Sequence, residues 1–194
     1  EEGAVMAAYP FHDTMENGPS PWFYDSPWAL VLLPGDKTRT GQPSVVWTDS
    51  PSASYAKSAD SSLYLTIDLG SANMPLLSFW QRYAFEDNSD YGYIEVKEAG
   101  SATWKRLYFV TGTSPSWVEA RVDLSNYAGK QVNIRFRVVA DASDTQSDGW
   151  FIDDVRIAET TQPPLAYPFF DNLDGAVTDN NWHPGNWSLV SNVR

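Results

Sequence analysis

Residues 131–140 alternate without a break, with Val132, Ile134, Phe136 and Val138 on one side and Asn133, Arg135 and Arg137 on the other. A period of two puts one face of a strand in a core and leaves the other in water. The pattern recurs at Leu63-Tyr64-Leu65-Thr66-Ile67-Asp68-Leu69, at 76–85, and at 91–97, where Ile94 and Val96 oppose Tyr93, Glu95 and Lys97. Residues 103–110 and 117–123 read as further strands. Trp22 and Trp28-Ala29-Leu30-Val31 suggest a first pair of short strands, and Val45-Val46-Trp47 another. Turn signals such as Asn17-Gly18-Pro19, Pro34-Gly35-Asp36 and Gly70-Ser71 punctuate the chain. Strands 76–85 and 91–97 are expected to pair across the acidic turn at 86–90. No segment keeps a helical period over three turns. The expectation is an all-β chain, a two-sheet antiparallel β-sandwich of jelly-roll type.

The closing strand, Gly149-Trp150-Phe151-Ile152-Asp153-Asp154-Val155-Arg156-Ile157, carries two consecutive acids where Asp is normally depleted. Strict alternation places Asp153 on the face of Phe151, Val155 and Ile157, towards a core. A carboxylate there needs hydrogen-bond donors, an ion-pair partner or a cation. With 25 Asp and Glu against 13 Lys and Arg, and a formal net charge of −12, Ca²⁺ is the economical expectation. Glu16, Asp49, Asp60 and Asp153 come from separate segments that a sandwich can gather at one end, as the about six to eight oxygen ligands of Ca²⁺ require. The alternative is a set of solvated turn acids. The acidic loops 86–90 and 141–148 are candidates for a second ion, without the spacing of an EF-hand.

The same acidity argues against nucleic acid and against an anionic membrane surface. No stretch approaches the ~18 apolar residues of a membrane span. Absence of Cys excludes disulfides, thiolate metal sites and Cys nucleophiles. The histidines, His12 and His183, stand in no HExxH motif, and neither a nucleophile elbow nor a P-loop is present. The chain is therefore read as non-catalytic. Most of its nine Trp are expected in the core. Tyr93, Glu95, Arg135 and Arg137 share the polar side of the later strands. Joined by Trp80 or Tyr83, they would make an aromatic and charged surface that suits sugar rings. The alternative is a solvated outer sheet with cross-strand Glu–Arg pairs.

After Thr160-Thr161-Gln162-Pro163-Pro164, which reads as a linker, the opening of the chain returns. Ala166-Tyr167-Pro168-Phe169 repeats Ala8-Tyr9-Pro10-Phe11, and Asp171 and Asp174 take the places of Asp13 and Glu16. The expected organisation is one complete domain over residues 1–158, a linker over 159–165 and the opening strands of a second repeat over 166–194. That fragment is too short to bury a core alone. It is expected to dock on the complete domain, to mediate self-association between chains, or to be a truncated piece of a further repeat.

The ordered series Trp47-Thr48-Asp49-Ser50-Pro51, Leu77-Ser78-Phe79-Trp80-Gln81-Arg82-Tyr83, Asp90-Tyr91-Gly92-Tyr93-Ile94-Glu95-Val96, Asp123-Leu124-Ser125-Asn126-Tyr127-Ala128-Gly129 and Asp148-Gly149-Trp150-Phe151-Ile152-Asp153-Asp154-Val155 resembles the MAM-like jelly-roll modules of bacterial secreted proteins. These include choice-of-anchor J modules, gingipain cleaved-adhesin domains and the non-catalytic module of immune-inhibitor-A-type metalloproteases. The resemblance runs from about Phe11 to Ile157. It implies a concanavalin-like jelly roll with structural Ca²⁺, set beside a protease or other hydrolase as an adhesive or accessory part. It also implies that Glu16 comes near Asp49 and Asp153, with Asp13 and Asp154 in support. His12 departs from the pattern, which usually has an acid or an aromatic there. Two functions follow as expectations: an adhesion or accessory module of a secreted or cell-surface protein, with a glycan or extracellular protein as partner, and a carbohydrate-binding module of a secreted hydrolase.

Overall fold

The computed structural model describes residues 5–52, 54–143 and 147–160. Most of the expected linker and the whole expected second repeat, with Asp171, Asp174 and His183, lie outside the described residues, as does any self-association through 166–194.

Among the described residues eleven strands follow one another: β1 (Phe11–Asp13), β2 (Phe23–Tyr24), β3 (Ala29–Leu33), β4 (Ser44–Thr48), β5 (Asp60–Asp68), β6 (Pro75–Ala84), β7 (Tyr91–Glu98), β8 (Lys105–Val110), β9 (Val118–Asp123), β10 (Gln131–Val139) and β11 (Gly149–Glu159). They form a six-stranded sheet of order β3-β4-β11-β6-β9, with β1 also paired to β11, and a five-stranded sheet of order β2-β5-β10-β7-β8. Every strand pairing is antiparallel. The architecture is the expected two-sheet sandwich. Among the described residues no helix is long and apolar enough to cross a membrane.

The alternation in β10 becomes packing directly: Val132, Ile134, Phe136 and Val138 are fully buried between the sheets. Trp150 of β11 faces them, its ring 5.7 Å from Phe136 and 6.4 Å from each of Trp28, Phe79 and Phe85. The indole of Trp150 donates to Gln81 Oε1 at 2.9 Å, and the Gln81 amide donates to the Tyr108 hydroxyl at 2.7 Å. A buried amide is thus satisfied on both sides, which avoids the cost of an unpaired polar group. Gly92 of β7 leaves room for that indole, since a Cβ there would stand 2.7 Å from Trp150 Cε3. Trp22, Trp28, Trp47 and Trp150 are core, whereas Trp80, Trp104 and Trp117 are half-buried at the surface.

Three expectations need correction. Strands 76–85 and 91–97 do not form a hairpin, because β6 and β7 belong to different sheets. The connection at 86–90 is a crossover pinned by Asp90, whose buried carboxylate accepts the Tyr55 hydroxyl at 2.6 Å and the Asp141 N–H at 2.7 Å. The short strands at Trp22 and Trp28 likewise separate, β2 pairing with β5 and β3 with β4. Alternation in β11 also breaks: Trp150 and Ile152 face the core before Asp153, and Val155 and Ile157 face it afterwards. A register shift between Asp153 and Arg156 against β6 marks a bulge, one extra residue that changes the phase of the strand.

Candidate functional site

Two polar clusters stand on the outer faces of the sandwich. The first surrounds the bulge. One edge of β11 pairs with β6 throughout. The other edge is shared, with β4 opposite Phe151 and Ile152 and β1 opposite Val155, Arg156 and Ile157. Asp153 and Asp154 occupy the gap between β4 and β1. Asp154 has φ of 51°, a left-handed conformation that Asp tolerates better than most residues, and its N–H donates to Asp153 Oδ1 at 2.8 Å. Because the phase shifts only after it, Asp153 lies on the outer face opposite Trp80, not towards the core with Val155.

Asp153 is nonetheless only 5% exposed. The loop 34–43 between β3 and β4 brings Arg39 over the Trp80 ring, 4.7 Å from its centroid, and into an ion pair with Asp154. His12 Nε2 stands 4.0 Å from the same carboxylate. The loop is tied down at its other side by the Trp117 indole, which donates to the Lys37 carbonyl at 2.9 Å. Glu16 Oε1 accepts the Val45 N–H at 3.0 Å and lies 3.3 Å from Ser44 Oγ, which is also 3.3 Å from Asp153 Oδ2. One hydroxyl proton therefore faces two carboxylates. Burial first, and the Asp154 charge second, push the Asp153 carboxyl up to about 6.

The other acids expected at a cation site are placed differently. Asp13 accepts the Met15 N–H at 2.8 Å and the Trp22 indole at 2.7 Å, so its oxygens organise a turn. Asp49 sits past the end of β4, 1% exposed, where it accepts the Trp150 N–H at 2.8 Å. Burial pushes its carboxyl up to about 7 against the pull of that N–H. Asp60 is on the other sheet in a two-pronged pair with Arg137, 2.7 Å at each contact, which holds its carboxyl below the usual carboxylate range. The fold thus gathers Glu16, Asp153 and Asp154, and leaves Asp49 and Asp60 elsewhere. Among the described residues no three Asp, Glu or His side chains converge as a metal cage.

The second cluster is the outer face of the five-stranded sheet. Register aligns Tyr64 of β5, Arg135 of β10, Glu95 of β7 and Arg106 of β8 in one row. Arg137, Tyr93 and Phe109 form the next. Arg135 binds Glu95 at 2.6 and 2.7 Å, and Arg137 reaches the same carboxylate at 3.7 Å. Of the residues expected here, Tyr93, Glu95, Arg135 and Arg137 are brought together. Trp80 is not, since β6 belongs to the opposite sheet, and Tyr83 packs against the core. Trp104 takes the aromatic place instead, with the Arg135 guanidinium 4.2 Å and the Lys97 ammonium 4.9 Å from its ring centroid. Sequence reasoning missed Trp104 and Arg106 on this face, and Arg39 and Ser44 at the bulge. The signal for Arg106 was present in the 99–102 turn, which makes β8 the hairpin partner of β7 and sets Arg106 across from Glu95.

The two sheets and their order define a jelly-roll β-sandwich. Solved structures that the chain resembles include the K2 cleaved-adhesin domain of Lys-gingipain, with a TM-score of 0.55, 14% identity, and coverage of 78% of this chain and 99% of that one. A TmCBM61 structure in complex with β-1,4-galactotriose has a TM-score of 0.52 at 18% identity, covering 76% and 94% of the two chains. The C-terminal family 22 carbohydrate-binding module of Clostridium thermocellum Xyn10B matches with a TM-score of 0.52 at 14% identity, covering 77% and 92%. In sequence, the chain is 30% identical over 115 residues to Bacillopeptidase F of Bacillus subtilis (strain 168). That match covers 59% of this chain and only 8% of the much longer relative. No protein-family model matches.

Proposed function

We propose that the chain is a non-catalytic, calcium-stabilised adhesion or accessory module of a larger exported bacterial protein, attached to a protease or other hydrolase. The observation that carries this reading is the sequence match, in which a domain-sized piece corresponds to 8% of a far longer protein named as a peptidase. The shared fold with a cleaved-adhesin domain supports it. The charged groups on the outer faces support it too, because Asp154, Asp60 and Glu95 are each engaged by an arginine, an arrangement that shapes a surface. The partners fitting such a module are the neighbouring domains of its parent and an extracellular protein or glycan.

The bulge is the place where the calcium reading has support. The exposed Glu16 and the nearly dry Asp153 present two carboxylates to one Ser44 hydroxyl beside Asp154. A divalent cation supplies the positive charge this pair needs. Glu16, Asp153 and the Ser44 hydroxyl would hold it, and backbone carbonyls and water would complete the about six to eight oxygens of its shell. Asp154 already has Arg39 and serves the site through charge.

Thermal unfolding in millimolar Ca²⁺ and in EGTA tests the calcium reading. Native-state binding contributes about 2.7 kcal/mol at a hundredfold excess over Kd. The melting temperature of the native sequence is expected to fall in EGTA, and that of Asp153→Ala to be indifferent to Ca²⁺. No change after exhaustive chelation removes calcium from the proposal. Turnover of casein or of glycosides by the purified chain would overturn the non-catalytic reading.

A further inference from the structure

We propose that the outer face of the five-stranded sheet binds a carboxylate-bearing saccharide, a glycan containing uronic acid, with Arg106 and Lys97 holding the carboxylates and Phe109 supplying an exposed ring. The inference rests on the reading of the chain as a non-catalytic binding module and names what that module holds.

Charge comes first. Four of the 13 Lys and Arg residues stand on this face, against Glu95 in its middle, Asp60 and Asp68 at its two ends and Asp25 beside Tyr64 at its margin. On a chain of net charge −12 a face where cations match acids repels anions less than the rest of the surface does. The pairing within the face then decides which cations are available. Glu95 is taken by Arg135 and approached by Arg137, and Asp60 is taken by Arg137. Among the described residues Arg106 and Lys97 have no carboxylate partner. Each lies instead against an aromatic ring, Arg106 at 3.7 Å from the Tyr93 centroid and Lys97 at 4.9 Å from that of Trp104. A ring holds a cation in position without neutralising it.

The apolar part adjoins. Phe109 is 56% exposed and lies opposite Tyr93 in register, and its ring is 6.2 Å from Tyr91, which stacks on Tyr93 at 5.5 Å. An exposed ring beside a guanidinium suits the apolar face of a pyranose whose substituent is a carboxylate. The Tyr64-to-Arg106 row spans four strands, about 14 Å at the usual strand spacing, which accommodates more than one sugar unit. An acidic peptide fits less well. Peptides that bind sheets draw affinity from backbone bonds along an edge strand such as β8, whereas the row crosses β5, β10 and β7, each paired on both sides. A ligand over them is read by side chains alone.

Isothermal titration of the 194-residue chain with oligogalacturonate, hyaluronan and alginate oligosaccharides tests the proposal. Methyl-esterified oligogalacturonate, β-1,4-galactotriose and polyglutamate serve as comparisons. At least one acidic saccharide is expected to bind. Esterification, Arg106→Ala and Phe109→Ala should each weaken it about tenfold, the loss of one charge-assisted or apolar contact. Arg121→Ala, on the opposite sheet, should leave binding unchanged. Both substituted residues are exposed, and matching melting curves confirm that the variants fold. Absence of binding to all three acidic saccharides overturns the proposal, as does equal binding of the ester or tighter, Arg106-dependent binding of polyglutamate. Binding of neutral galactotriose alone overturns the uronate inference and leaves the binding-module reading intact. Cleavage of any saccharide overturns the module reading itself.

Discussion

The two outer faces of the sandwich solve opposite electrostatic problems. On the six-stranded sheet the surplus is acidic and covered: the loop 34–43 lays Arg39 over Trp80, and Asp153 is almost dry beneath it. On the five-stranded sheet bases match acids in the open, with ion pairs running laterally between neighbouring strands and two cations left against aromatic rings. Covering a face raises the cost of each unpaired charge, which is the ground on which calcium is proposed there. An open face keeps its spare charges hydrated and available to a ligand. The difference originates in one residue. The extra residue in β11 comes after Asp153, leaving it outward while Val155 and Ile157 turn to the core, whereas β10 runs in unbroken register with both neighbours.

The largest effect is expected where the two faces share a core. Trp150→Ala removes the ring that meets Phe79, Phe85, Phe136 and Trp28, at a cost of about 3–5 kcal/mol. Guanidinium unfolding followed by circular dichroism and by fluorescence should show one coincident transition at a lower midpoint. Two separated transitions would mean that the faces belong to independently folding sheets, and the comparison would then lose its common frame.

Glu95→Ala and Glu119→Ala set the two faces against each other. The Glu95 side chain is 8% exposed and serves two arginines, so its loss leaves Arg135 and Arg137 short of a buried acceptor, at about 1–3 kcal/mol. Glu119 pairs with Arg121 at 3.2 Å in the open, where a pair contributes about 0–1 kcal/mol. Denaturant midpoints of the two variants should differ accordingly. Equal midpoints would show that the Glu95 pairs are as solvated as the Glu119 pair.

Much of this was legible along the chain. The faces of β10 and β7 follow from alternation alone, and the Glu95–Arg135 pair follows once those strands are neighbours. The paired acid was visible as an anomaly, and its need for a partner followed from burial. Its direction was not legible, because a left-handed residue at Asp154 breaks the period on which the inference depended. Arg39 comes from a loop with no period, so nothing local pointed it at Asp154. Trp80 was assigned to the wrong face because a turn-like acidic run at 86–90 concealed a crossover. Asp13 and Asp49 look like ligands in sequence, yet their oxygens are used by the N–H groups of Met15, Trp22 and Trp150.

The smallest effect concerns the edge of the covered face and appears in pH dependence. Asp49 in the unfolded chain titrates near 3.9. In the native state burial pushes it up to about 7. Between these values the native state keeps a proton that the unfolded chain has released. The stabilisation is therefore full below the unfolded value and is lost as pH rises through the folded one. Asp153, raised to about 6 by burial and by Asp154, acts with the same sign. Asp49→Asn is neutral at every pH and keeps an oxygen for the Trp150 N–H, so it removes the Asp49 component alone. The melting temperature of the native sequence is expected to fall from pH 5 to pH 8, and that of the variant to fall less. At this chain length each kcal/mol corresponds to roughly 2–4 °C. The two curves should lie closest at pH 4 and below, where Asp49 keeps its proton in the native state and largely in the unfolded chain, and separate progressively up to about pH 7 in favour of the variant. Parallel curves would show that Asp49 is ionised in the native state throughout, and that the edge of the covered face is wetter than its 1% exposure implies.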